Sequence, residues 1–409
     1  MIDFKLMTSC FTIHRKILFR RTVMRIAIIL LNKGRGSGEV ARQHAKHLAA
    51  KGHKVYLMHP DADYELENVD VVDIQLHSRI YPVHEYLPAA GQNQKQVARM
   101  SFDEAISYVP DYEKALESVI QDVDIVISHH TNLNTIAAHR VARRHGKTFV
   151  VFIHGTGIEP RHFGFYDDKI WKLIEDAVVD ADGILVTTEY VRDSLVRPLI
   201  DVPLDRFLVL PVGVELTEFH PENIQGIREK YGLPKRYVIC PGALTRIKGP
   251  QNVAEASKYY HDLAQTIFIG AGELEEQLKQ ELDGRGRVLG FVPSEDKAKL
   301  INAATLLVAA PEKKEHFGII YAEALAGGTP PVAYEGGGVD SIVTPDVGVL
   351  TDRDPKILGL KVRELLENPE LLEKMSRSAR RRAEQLFDYN KLIPKLETWL
   401  ISLANRRSR

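Results

Sequence analysis

Pro241-Gly242-Ala243-Leu244-Thr245-Arg246-Ile247-Lys248-Gly249 follows an apolar run and precedes a segment of helical period. The run sets two cations beside a helix amino terminus, where N–H groups and the helix dipole already favour anions, and so suits a diphosphate. Downstream, Glu315 and Glu323 stand eight residues apart across the expected start of a helix. That spacing is about 2.2 helical turns, so both carboxylates are expected on nearly the same side, each meeting one portion of an elongated ligand. Their neighbours Phe317, Ile319, Ile320 and Ala322 argue against a solvated face. Nearer the start, Asn32-Lys33-Gly34-Arg35-Gly36-Ser37-Gly38 is a glycine-rich turn opening a helix, either a phosphate or sugar contact or simply a tight turn. It matches the dinucleotide fingerprint poorly, and no NTPase phosphate loop occurs anywhere in the chain. His154, followed by Gly155-Thr156-Gly157, closes an apolar run and is carried to a strand end. His129-His130 ends another such run, and His162 lies in a Pro-Arg-His-Phe-Gly turn that could line an acceptor pocket. The sixteen histidines include no His-Glu-x-x-His pattern, and Asp61-Ala62-Asp63 reads as a solvated turn, so no metal site is expected.

The elements that must hold these residues alternate. From Met24, RIAIILL, a helix over 39–51, KVYLM, VDIVIS (123–128), a helix over 132–145, TFVVFI (148–153), a helix over 166–181, GILVTT (183–188) and FLVL (207–210) follow one another. The strands are apolar throughout rather than alternating, as expected for strands buried on both faces of a parallel sheet. A stretch through Pro211, Gly213, Pro221, Gly232 and Pro234 has no sustained period and reads as a linker. A second alternation runs through 237–240, 266–270, 287–290, 305–310, 331–334 and 348–350, with helices expected over 250–262, 272–283, 318–327 and 355–367. Residues 369–405 read as helical throughout. The fold class is therefore α/β: two tandem Rossmann-like, doubly wound parallel-sheet domains facing a central cleft, with strand ends and helix amino termini pointing into it.

Composition agrees. The 409 residues are 44% hydrophobic, with 54 Lys and Arg against 55 Asp and Glu, which disfavours disorder and a general nucleic-acid binder. Two cysteines, Cys10 and Cys240, make no disulfide framework and indicate a reducing, cytoplasmic setting. The longest strictly apolar run, Ile26 to Leu31, is far short of the ~20 residues of a membrane span. Residues 1–23 hold five basic residues against one acidic. Three readings stay open for them: a start site set upstream of a true one at Met24, a basic membrane-surface helix, or a loose tail.

Taken in order, the glycine-rich first turn, the strand-end His154-Gly155, Leu-Pro-Val-Gly-Val at 210–214, Gly242-x5-Lys248-Gly249, Gly-Ala-Gly at 270–272, Leu-Gly-Phe-Val at 289–292 and Glu315-x7-Glu323 with its following Ala-Leu-Ala-Gly-Gly-Thr-Pro resemble the family 4, or group 1, retaining glycosyltransferases of GT-B fold. The resemblance spans Met24 to about Phe387 and is sharper in the second half. It implies an acceptor-binding domain over 24–212, a nucleotide-sugar-binding domain over 213–387, and a C-terminal helix over 388–409 that packs back on the first domain and ends in a basic tail. It further implies that Glu323 holds the ribose hydroxyls, Glu315 touches the transferred sugar, Lys248 neutralises the diphosphate and Gly318-Ile319-Ile320 add amide hydrogen bonds. Gly38 would approach the diphosphate from the opposite domain, Phe291 and Val292 would flank the base, and His154 would hydrogen-bond the sugar. Gly36 and His162 are the acceptor-side candidates. Family members usually carry Arg directly after the glycine equivalent to Gly242. This chain has Ala243 there, and Arg246 is the cation nearest to hand.

The function implied is transfer of a hexose-type sugar from a nucleotide-sugar donor, with retention and without metal or other cofactor, to a glycan, lipid-linked or small-molecule acceptor. Two alternatives stand beside it: a nucleotide-sugar epimerase of the same architecture, and a non-catalytic nucleotide-sugar-binding protein. Residues 24–215 hold 21 Lys and Arg against 27 Asp and Glu, so no overall positive field draws the acceptor domain to anionic lipid. A local patch would suffice for peripheral contact at the inner membrane face.

Overall fold

A computed structural model of the chain describes residues 23–34, 36–85 and 93–407. The basic segment 1–22, with Cys10, and the last two residues of the basic tail lie outside the described residues.

The first sheet is built from β1 (Arg25–Ile29), β2 (Lys54–His59), β3 (Asp70–Asp73), β6 (Ile125–His129), β7 (Thr148–Ile153), β8 (Gly183–Val186) and β9 (Phe207–Val209). A small parallel ribbon, β4 (Ile80–Val83) with β5 (Asn93–Gln96), stands apart. The order β3-β2-β1-β6-β7-β8-β9 is parallel throughout and reverses direction between β1 and β6. The second sheet comprises β10 (Tyr237–Pro241), β11 (Gln265–Ile269), β12 (Gly286–Val288), β13 (Leu306–Ala309), β14 (Pro331–Tyr334) and β15 (Val349–Thr351). Its order, β12-β11-β10-β13-β14-β15, is the 3-2-1-4-5-6 order of a dinucleotide fold, again parallel, with its switch point between β10 and β13.

Buried apolar side chains on both faces of the central strands explain the layers. Ile26 and Ile28 of β1 face one core, Ala27 and Ile29 the other. Tyr237 and Ile239 of β10 face the same core as Ile26 and Ile28, whereas Val238 and Cys240 face a third. One apolar core therefore runs continuously between the two sheets.

The helices of the first half are α1 (Gly36–Ala50), α2 (Phe102–Ser107), α3 (Val109–Glu117), α4 (Leu133–Arg144), α5 (Glu159–His162) and α6 (Asp168–Asp180). Those of the second are α7 (Ile227–Tyr231), α8 (Pro250–Ala256), α9 (Glu275–Leu282), α10 (Ser294–Asn302), α11 (Ile319–Ala326), α12 (Pro355–Leu366) and α13 (Pro369–Leu386), followed by α14 (Tyr389–Arg407). The expected single helix over 369–405 is two helices. Phe387 ends α13 with its ring edge-on to Phe317, and the Asp388 carboxylate accepts the Asn390 N–H at 2.8 Å, an N-terminal cap that starts α14.

α14 lies on the first half. Leu392, Ile393, Leu396, Leu400 and Leu403 repeat at helical spacing and are buried, each contributing about 1.5–3 kcal/mol. Glu397 pairs with Lys51 at 2.8 Å and with His53 at 3.0 Å, and Arg407 pairs with Asp182 at 3.1 Å. The chain thus crosses between the halves twice, through 210–215 and at 387–389, and the crossings touch: the Val214 N–H donates to the Phe387 carbonyl at 2.8 Å. The division expected at 212/213 falls within the first crossing.

Candidate active site

Both switch points open on one cavity of about 340 Å³. Its lining on the first half comes from the turn after β1 (Asn32, Gly34, Gly36, Ser37), from His84, and from the strand-end residues His130, His154 and Thr187. On the second half it comes from the end of β10 through Leu244, from Lys248, from Ala309 and Pro311 after β13, and from Glu315 to Ile320. A second space of about 210 Å³ adjoins it, sharing Val40, Val212 and Ile319 and reaching Lys297 and Glu323.

Each wall is shaped by local sequence. Asn32 braces the first turn, accepting the Gly34 N–H at 3.0 Å and donating to the Pro82 carbonyl at 3.0 Å. On the opposite wall, α11 begins at Gly318, whose φ of +84° and contact with the Tyr321 ring leave no room for a side chain. The first-turn amides of an α-helix have no partner within the helix, so α11 presents its positive end to the cavity.

The two glutamates are placed differently from the expectation of one helical face. Glu315 precedes the helix, on an extended segment bridged to Gly337, and only Glu323 lies within α11. The left-handed Gly318 intervenes and breaks the 3.6-residue phase between them. Glu315 faces the main cavity, 18% exposed at its side chain, with Oε1 2.8 Å from Lys248 Nζ. Glu323 lines the adjoining space, its Oε1 2.6 Å from Lys297 Nζ and its Oε2 buried without a protein partner. Lys297 belongs to no motif, and α10, which bears it, is not among the helices the sequence predicts.

Other expected residues do not line either space. A Cβ on Gly38 would come within 2.0 Å of the Lys33 carbonyl oxygen, so this glycine closes the turn from inside, and Gly34, Gly36 and Ser37 face the cavity instead. Arg246 is exposed, its backbone N–H held by Glu273 at 3.0 Å, whereas Gly242, Ala243, Leu244 and Lys248 of the same loop line the cavity. Phe291 is 83% exposed and Val292 is buried in the core shared by the sheets. His162 donates from Nε2 to the Leu195 carbonyl oxygen at 2.9 Å and is not among the lining residues.

His154 does line the cavity, and it belongs to a cluster that its strand-end position alone did not reveal. Its Nε2 is 3.0 Å from His129 Nδ1, and its ring packs at 4.8 Å from that of His130. The His84 ring packs tilted against that of His130 at 3.9 Å, and its Nδ1 meets Asn132 Nδ2 at 3.0 Å. Burial pushes His129, His130 and His154 well below the ordinary imidazole value and His84 down to about 3, so the cluster is neutral near pH 7. Both ring nitrogens of His130 and the hydroxyls of Thr131 and Thr187 are buried without protein partners. Around His130, His154 and Thr187 the first wall is therefore a surface of uncharged donors and acceptors, with the Glu85 carboxylate beside it. His84 lies in a stretch where the sequence predicts no element, whereas Thr187 directly follows β8 near the end of GILVTT, and the strand-end rule that points to His154 points to it too.

Among the described residues no cluster of three or more His, Cys, Asp or Glu side chains is arranged to hold a metal ion, and no helix is long and apolar enough to cross a membrane. Asp63 of the Asp-x-Asp turn pairs with Lys33 at 2.8 Å on the surface.

Two family models lie side by side on the chain: Glycosyltransferase Family 4 over residues 34–218, the half that contributes the histidines, and Glycosyl transferases group 1 over 223–382, the half that contributes the ion pairs. The chain belongs to this glycosyltransferase family. Among similar proteins, a D-inositol 3-phosphate glycosyltransferase of Xylanimonas cellulosilytica is 33% identical over 200 residues, 44% of this chain and 48% of that one. The chain thus matches only about half the length of this relative. A GDP-mannose-dependent alpha-(1-6)-phosphatidylinositol dimannoside mannosyltransferase of Mycobacterium tuberculosis is 24% identical over 347 residues, 82% of this chain and 84% of that one. In fold, the family member superposes on sucrose-phosphate synthase from Thermosynechococcus elongatus with a TM-score of 0.75 at 18% identity, covering 93% of this chain and 99% of the other. The two facing parallel sheets are the GT-B architecture.

Proposed function

We propose that this family member transfers a sugar from a nucleotide-sugar donor to a hydroxyl of an acceptor, with retention at the anomeric carbon. The observation that carries the reading is the meeting of Lys248, Glu315 and the amino end of α11 on one wall of a cavity whose other wall holds His154. Breaking the bond between sugar and diphosphate builds negative charge on the departing phosphate and positive charge at the sugar carbon. Lys248 and the α11 amides stand ready for the first without reorganising, which is the most effective form of electrostatic catalysis. Glu315 faces the sugar, and the unpartnered Oε2 of Glu323 is left to accept the ribose hydroxyls in the adjoining space. The cationic groups on this wall supply the charge a metal would otherwise provide, so the proposal includes no metal. Same-face attack lets the leaving phosphate take the acceptor proton, and the Glu315–Glu323 pair is not the acid and nucleophile of a glycosidase. The neutral part of the first wall offers His130, His154 and Thr187 to acceptor and sugar hydroxyls. The mycobacterial relative is named for a GDP-mannose donor, which supports the donor class without fixing base or sugar here.

The test mixes the protein with UDP-, GDP- and ADP-sugars and no acceptor, following thermal stabilisation and slow donor hydrolysis. Stabilisation and hydrolysis with one donor, both lost in Glu323→Ala and Lys248→Ala, is the expected result. Binding of no donor would defeat the reading; conversion to an epimeric sugar would make the protein an epimerase, and binding without any turnover a binding protein.

A further inference from the structure

The segment that carries Glu315 is gripped from both halves of the molecule. On its own half, the Gly338 N–H donates to the Glu315 carbonyl at 2.6 Å. From the other half, Thr188 Oγ1 donates to the His316 carbonyl at 2.9 Å, and the His316 ring fills the space beside Gly155, where a Cβ would come within 2.4 Å of it. Glu159, at the start of α5, completes the grip. Its Oε1 stands 3.4 Å from His316 Nε2 and its Oε2 is ion-paired to Lys313. Glu159 is 8% exposed, and burying a carboxylate is costly unless it is paired. Burial works to raise this carboxyl, but His316 and Lys313 outweigh it and hold it below the usual carboxylate value. Both partners come from the opposite half, so this compensation of the Glu159 charge holds while the two halves are docked. Gly155 supplies a reason for the His-Gly pair that no ligand is needed to explain: the glycine makes room for His316.

We propose that Glu159 is a positioning residue: through His316 and Lys313 it docks the first half onto the 313–317 segment and thereby fixes where Glu315, with its partner Lys248, stands in the cavity. Glu159 itself does not line the cavity. The consequence for catalysis rests on the transferase reading above, whereas the docking rests on the contacts just given.

Three variants test it, Glu159→Gln, Lys313→Met and the pair, each followed by thermal melting, kcat and donor KM, and small-angle scattering of the nucleotide-bound protein. Glu159→Gln is expected to leave donor KM within about twofold, because Glu323 and Lys297 in the adjoining space are untouched, while kcat falls on the order of tenfold, toward the ~100-fold that a 1 Å misplacement can cost. The radius of gyration should rise. Lys313→Met, which also removes the 3.8 Å contact of Lys313 with Glu85, should move the same quantities in the same direction, and the pair should lose less kcat than the two single losses combined, since the Glu159–Lys313 contact is common to both. Unchanged kcat in Glu159→Gln, a fall in kcat with an unchanged radius of gyration, or fully additive losses would each overturn the proposal. If the unaltered protein turns over no nucleotide sugar, it is the transferase reading that fails, and the scattering comparison still decides the docking.

Discussion

The first half of the molecule packs five neutral histidines, His44, His84, His129, His130 and His154, in and behind its wall of the cavity, while the second half keeps its polarity as ion pairs, Lys248–Glu315 and Lys297–Glu323. A buried imidazole stays uncharged and offers one donor and one acceptor; an ion pair keeps its charges and can trade a partner for a ligand. One wall is suited to hydroxyls and the other to a ligand that brings its own charge. The difference also makes the halves respond differently to pH, which gives the comparison its sharpest edge.

The largest expected effect is on stability in mild acid. Each of the five histidines has its folded value lowered by burial, so below about 6.5 the unfolded chain binds a proton that the folded chain refuses. Their contribution is present above that pH and lost as pH falls, at up to about 1.4 kcal/mol per pH unit for each group. Denaturant melts at pH 7.5, 6.5 and 5.5 should show a steep drop below 6.5, shallower by about one histidine's share in His44→Phe, whose ring stacks on Phe152. A flat profile would remove the distinction between the walls. Next comes Glu323→Ala, expected to lower kcat/KM by about 100-fold, roughly 2.7 kcal/mol of transition-state binding, with loss of the donor-induced thermal shift. An intact shift would take the charged wall out of donor binding. A smaller effect is expected from Thr187→Val, which removes a buried hydroxyl without a protein partner. Folding should be unharmed or improved by about 1 kcal/mol, while KM for an acceptor rises severalfold and KM for the donor stays put. A change confined to donor KM would contradict the assignment of hydroxyl recognition to the first wall. Smallest of all should be Arg246→Ala and Phe291→Ala, each within about twofold of the parent in donor titrations, because neither side chain lines the cavity. A tenfold loss in Arg246→Ala would instead show that it replaces the arginine missing at Ala243.

The two halves also differed in how far they could be read beforehand. Strands buried on both faces announce themselves as unbroken apolar runs, so β1, β6, β7, β10, β13 and β14 were all legible. By contrast β3 is Asp-Val-Val-Asp and β5 Asn-Gln-Lys-Gln, half-exposed edge or ribbon strands whose composition says nothing of sheet, and the stretch that carries His84 went unread with them. The break between α13 and α14 had a signal, Asp388 as a cap, but the apolar stripe continues across it and masked the stop. In the site, Lys248 and Glu315 were found because they follow strand ends on the half with several spaced motifs. Lys297, Glu159 and Lys313 were missed because an ion pair between distant segments leaves no trace in the spacing of either.

The sequence by itself determined the two parallel sheets, their tandem order and the end of each sheet at which ligands must gather, because apolar periodicity and glycine-marked strand ends are local properties of the chain. Only the tertiary structure decided that Glu315 and Glu323 serve different spaces, that Gly38 and Arg246 stand back from the cavity, and that His154 is one of a neutral cluster. Those facts depend on backbone direction at single glycines and on which distant side chains share a desolvated volume, and both are set by packing rather than by spacing along the chain.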